Sequence, residues 1–132
     1  RLCTMSIYGV GVDLVNIDRV RKVWDKYGIK FANRILSELE KERLKNVKDS
    51  ALFIAKCFAV KEAVAKSLGV GFRNDVFLTN ISYTQNELKK PIIQYHGVTL
   101  DFVIRENITT THISVADEPP QVLAYAISEI TT

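Results

Sequence analysis

Cysteine is scarce in this 132-residue chain: Cys3 and Cys57 are its only two. Two thiols do not make the disulfide framework of a small secreted domain, and reduced thiols in a cytoplasmic setting are the simpler expectation. Long apolar runs are missing as well. None approaches the ~18 residues a membrane helix requires, and the opening Arg1-Leu2-Cys3-Thr4-Met5 has no signal-peptide core. Residues 1–4 read as an extension ahead of Met5, and residues 5–132 as a single domain. Glycine and proline are few, 6 and 3, which excludes collagen-like and low-complexity chains. Neither sign of charge dominates: 18 Lys and Arg against 15 Asp and Glu leave +3. That surplus suits an anionic ligand or partner, but it falls well short of the basic patch of a nucleic-acid binder. What is present, 47% apolar and 25% charged residues, is enough for one buried core without staples.

Residues 7–15 read as a strand in which β-branched residues alternate with Gly9 and Gly11. Glycine weakens a strand, so two of them imply that another backbone or a ligand approaches closely. From Asp18 the period becomes helical: Val20, Val23, Trp24 and Tyr27 share one apolar face, and Gly28 is a stop signal. Ser37 and Glu40 have capping-box spacing and start a short charged helix that ends near Asn46. The clearest helix takes Ser50 as its N-cap and runs to about Leu68, with Gly69 after it. Its residues Ala51, Ala55, Phe58, Glu62 and Ala65 form a stripe expected to face the interior. Strands are expected over 76–84, 91–95, 111–116 and 121–130, with a helix over 98–107. Helices early and strands late make this an α+β domain.

Glu62 interrupts the small apolar stripe, where an ionised carboxylate needs compensation. Lys66 one turn on, a buried arginine or a metal could each supply it, and an exposed Glu62–Lys66 pair is worth only about 0.3 kcal/mol. Asp13 ends the glycine-punctuated strand, where it is either a simple cap or a carboxylate aimed into a cleft. If the two carboxylates converge, they form a hard oxygen site of the kind magnesium completes with water and substrate phosphates. Lys56, Lys61 and Lys66 spiral around the helix, so at least one is expected to be merely solvated. His96 and His112 lack metal-ligand spacing, and no serine sits in a nucleophile elbow.

Two segments, Gly9-Val10-Gly11-Val12-Asp13 and Phe58-Ala59-Val60-Lys61-Glu62-Ala63-Val64-Ala65-Lys66, resemble the paired signatures of the phosphopantetheinyl transferase superfamily. Order and flanks, including Ile17-Asp18-Arg19-Val20, residues 31–36 with Glu40, Lys66-Ser67-Leu68-Gly69 and His112-Ile113-Ser114-Val115, resemble its short bacterial type, the holo-acyl-carrier-protein synthases. The resemblance implies an antiparallel sheet with a long central helix packed on it. It implies magnesium-dependent transfer of phosphopantetheine from coenzyme A to a serine of acyl carrier protein in fatty acid biosynthesis, with release of adenosine bisphosphate. By the same match Asp13 and Glu62 hold the metal and, with Lys66, form the catalytic set. Lys61, Lys66, Gly69, Gly71, His112 and Ser114 contact coenzyme A, and Arg19, Lys30 and Arg34 dock the acidic carrier. A homotrimer with active sites at subunit boundaries is also implied. The chain departs from the pattern at Cys57, where the family often has arginine, and at Asp117, where it often has histidine. Lys56, beside Cys57, is a candidate to compensate for the arginine. These departures leave an alternative reading, a non-catalytic module of the same fold that binds acidic carriers.

Overall fold

The computed structural model describes residues 4–69 and 75–131. Strand β1 (Met5–Asn16) turns Gly9, Gly11, Asp13 and Val15 towards the interior and Val10, Val12 and Leu14 away from it. It pairs antiparallel with β5 (Gln121–Thr131), Asp13 opposite Ala124, and β5 pairs in turn with β4 (Ile108–Glu118), Val115 opposite Ala124. The sheet order is therefore β1-β5-β4. A second sheet joins β2 (Ile81–Gln85) to β3 (Pro91–Tyr95). The strand expected from residue 76 starts later because Leu78–Asn80 forms a 3-10 turn instead.

Helix α1 (Ile17–Tyr27) is capped by Asn16, whose side chain accepts from the Arg19 N–H, and ends at Gly28 with φ +55°. Gly28 also begins α2 (Ile29–Ile35), a helix absent from the sequence reading. Its seven residues are too few to show a helical period. The capping box of α3 (Glu38–Leu44) is complete: Ser37 accepts from the Glu40 N–H and Glu40 from the Ser37 N–H. Helix α4 (Ser50–Ser67) is capped by Asp49 rather than Ser50, since it is Asp49 that has extended backbone and accepts from the Leu52 N–H. Helix α5 (Gly97–Arg105) follows β3.

Helix α4 lies on β1 and β5 and is covered from its other side by α1, α2 and β2. It is consequently buried on nearly every side, not along one stripe. Ala51, Ala55 and Ala65 are buried as expected, Phe58 and Glu62 are only half-buried, and Lys61 is wholly enclosed. Among the described residues, the β1-β5-β4 sheet is covered on one face only, the face on which α4 lies. Its other face leaves Val10, Val12, Leu14, Leu123 and Tyr125 exposed. Among the described residues no helix is long and apolar enough to cross a membrane.

Candidate active site

The two glycines of β1 stand where the strand meets α4 main chain to main chain. A Cβ on Gly11 would overlap the Ala63 carbonyl oxygen and press on Lys66 Cβ at 2.8 Å; one on Gly9 would overlap the Ser67 carbonyl oxygen. With nothing between the backbones, Asp13 comes alongside the last turns of α4. Lys66 Nζ donates to the Val12 carbonyl at 2.8 Å and to Asp13 Oδ1 at 3.2 Å. Lys66 thus pairs across the seam with the strand, not along the helix with Glu62. Asp13 and Glu62 line one pocket of about 340 Å³ with Asn16, Arg19, Val20 and Phe58. Burial raises the Glu62 carboxyl above its usual value, the Asp13 carboxylate adds to the rise, and Lys66 opposes it.

Two neighbouring carboxylates, one of them made harder to charge by burial and by the other, are a fitting but incomplete set for a hard divalent cation. Among the described residues no third His, Cys, Asp or Glu joins them. Magnesium asks for no more, since it is commonly held by one or two carboxylates plus water and substrate phosphates. The donor chemistry therefore fits the expected ion.

The other expected residues are distributed less simply. Arg19 shares the carboxylate pocket, whereas Lys30 and Arg34 line a separate groove of about 410 Å³ with Val23, Tyr27 and Phe31. Arg19 and Val23 are one helical turn apart, so the two hollows follow each other along α1. Lys61 is not available to a cofactor. It is fully buried, ion-paired with Glu40 and bonded to the Ile35 carbonyl at 2.6 Å, which corrects its expected role. His112 and Ser114 lie exposed on β4, on the sheet face opposite Asp13, and His112 Nε2 is 2.6 Å from Glu129 Oε1. One chain does not bring them to the pocket. Gly69 follows α4 with φ +81°, and Gly71 lies outside the described residues.

Comparison with known proteins identifies the family. Residues 9–125 match the 4'-phosphopantetheinyl transferase superfamily. The chain belongs to that superfamily. Within it, the chain is 40% identical over 123 residues to a holo-[acyl-carrier-protein] synthase of Nitrosospira multiformis, covering 93% of this chain and 98% of that protein. The holo-[acyl-carrier-protein] synthase of Neisseria meningitidis superposes with a TM-score of 0.89 at 33% identity, over 93% of this chain and 98% of that one. The Helicobacter pylori synthase, solved in complex with coenzyme A, gives 0.77 at 26% identity, over 93% and 99% of the two chains.

Seen as a member of the superfamily, the chain handles its two departures locally. Cys57 is enclosed in the core, where burial pushes its thiol above the ordinary range. Asp117 is answered by Lys56, 3.3 Å away, so Lys56 neutralises a carboxylate and does not stand in for the absent arginine. All three α4 lysines are thus partnered, contrary to the expectation that one would be merely solvated. The sequence reading also passed over a cation-lined pocket of about 320 Å³ formed by Arg43, Lys48 and Lys56 with Phe53 and Tyr83. Arg43 lies over the Phe53 ring and donates to the Tyr83 carbonyl, contacts that need distant segments and leave no local pattern.

Proposed function

We propose that this chain transfers the phosphopantetheine group of coenzyme A to a serine of apo acyl carrier protein, in the cytoplasm and in support of fatty acid biosynthesis. The observation that carries the reading is the pocket in which Asp13, Glu62 and Arg19 meet. Membership of the superfamily and the names of its relatives support it. In the reaction the serine oxygen bonds to the pantetheine-side phosphorus of the pyrophosphate. The bond from that phosphorus to the bridging oxygen breaks, adenosine bisphosphate leaves, and the proton of the serine hydroxyl passes to water. Such a displacement calls chiefly for positioning and charge neutralisation. Asp13 and Glu62 would hold a magnesium ion, which when bound supplies Lewis acidity and offsets the pyrophosphate charge. Lys66, half-exposed and paired with Asp13, would turn its ammonium towards the phosphates. Arg19 sits at the pocket, and Lys30 and Arg34 one hollow further along; together they give an acidic carrier a path to the site. Complementarity of this kind acts mainly on encounter rate and salt dependence.

The uncovered sheet face supports a homotrimer. The exposed Val10, Val12, Leu14, Leu123 and Tyr125 put apolar side chains together on β1 and β5, the kind of surface that another chain covers. A neighbouring copy seated there would cover it, and would carry His112 and Ser114 towards another chain's pocket. The reading is tested by incubating the protein with apo carrier, coenzyme A and magnesium and weighing the carrier by mass spectrometry. Gain of the phosphopantetheine mass, lost on chelation, is the expected result. No gain with any divalent metal would overturn it and favour the non-catalytic carrier-binding module.

A further inference from the structure

Lys61 and Glu40 have no part in the reaction as proposed. Yet theirs is the one ion pair among the described residues that is wholly shut off from water, with both side chains 0% exposed. Lys61 Nζ also donates to the Ile35 carbonyl at 2.6 Å, while Glu40 accepts from the Ser37 N–H at 3.0 Å and the Tyr83 N–H at 2.6 Å. A pair so placed adds little net stability, because withdrawing both charges from water offsets their attraction, and apolar residues of similar volume hold a core as well. What it does supply is direction. Ile35 is the last residue of α2, and the closing carbonyls of a helix have no partner inside it. Helix α2 has seven residues and no side-chain cap at its start, so it does not hold its pose alone. Its anchors are the buried Ala32 and Ile35 and the bond from Lys61. The same helix exposes Lys30 and Arg34, while the residue after Lys61 on α4 is Glu62. A single side chain therefore links the turn that carries a site carboxylate to the end of the helix that carries the docking cations.

We infer that Lys61 and Glu40 are positioning residues that hold the α2 docking surface in register with the Asp13–Glu62 pocket. The inference rests on the reading that the carrier docks on Lys30 and Arg34. Lys61→Met alone would strand a buried carboxylate, so the test uses Lys61→Met with Glu40→Gln. Three quantities are measured: melting temperature, KM for each substrate with kcat, and calorimetric affinity for apo carrier without coenzyme A or metal. The expected result is an unchanged or higher melting temperature and a KM for coenzyme A within about twofold of the parent. KM and Kd for the carrier should rise about tenfold, in the usual range of coupling between sites. Carrier affinity within twofold of the parent would overturn the inference. So would a steep fall in melting temperature with all kinetic constants falling together, since the pair would then be a prop for the fold. Lys30→Ala with Arg34→Ala separates the two levels. If that variant binds carrier normally, the docking reading fails and the inference with it. If it binds weakly while the core double variant does not, the inference alone fails.

Discussion

Lys61 and Lys66 stand five residues apart on α4, and each faces a carboxylate delivered by another element. Lys66 meets Asp13 at the rim of an open pocket, with half of its side chain in water. Lys61 meets Glu40 where no water reaches, and the pair is held further by hydrogen bonds to the main chain of Ile35, Ser37 and Tyr83. The same two charge types thus make a rearrangeable contact in one place and a fixed one in the other. Solvent decides which. An exposed pair is worth at most about 1 kcal/mol and is readily exchanged for a phosphate; a buried one is costly to break by halves.

The sharpest way to break this contrast is Lys61→Met alone, which leaves the Glu40 carboxylate buried without its cation. Urea unfolding should show a loss of about 3–5 kcal/mol. Glu62→Gln should do the reverse. Turnover in the carrier mass assay falls about a hundredfold or more, the scale of removing an electrostatic contact that counts in a transition state, while the melting temperature holds or rises. If the two variants exchanged phenotypes, the assignment of a site lysine and a core lysine would be wrong. Gly11→Ala lies between them. Its methyl group must push β1 off α4, at about 1–3 kcal/mol for an overpacked core, and it moves Asp13, so stability and turnover should fall together.

The glycine-punctuated strand was legible from its residues. Two glycines implied a close backbone approach, and the main chain of α4 is what approaches. The capping box at Ser37 and the end of α1 at Gly28 were legible for the same reason, that their chemistry is local. Glu62 was singled out for burial on a stripe and is half-buried, but the count of small residues could not show that α4 is covered from several sides. The buried charge proved to be its neighbour. Nothing near Lys61 announces Glu40, whose place is set by the packing of α3 against β2. Helix α2 escaped notice because its position is fixed by contacts beyond its own seven residues.

Smaller effects sharpen the comparison from its solvated end. The Lys56–Asp117 pair is about one-third exposed on both sides. A double-mutant cycle with Lys56→Gln and Asp117→Asn should give a coupling of no more than about 1 kcal/mol. The Arg21 guanidinium holds the Asp49 carboxyl below the usual carboxylate range. Since its folded pKa is the lower one, its stabilisation is present above the ordinary carboxylate value and is lost as pH falls through the lowered one. Asp49→Asn should therefore lower the neutral plateau of a stability-against-pH curve slightly, flatten its acid limb and meet the parent curve in acid.

Where β1 crosses α4 without a side chain between them, peptide dimensions act as the ruler for the acids that follow. Residues lining the pocket can be exchanged and its walls reshaped for a new carrier without altering that gauge. Positions 9 and 11 have no such latitude, because any atom added there widens the gap that every later adjustment would have to close.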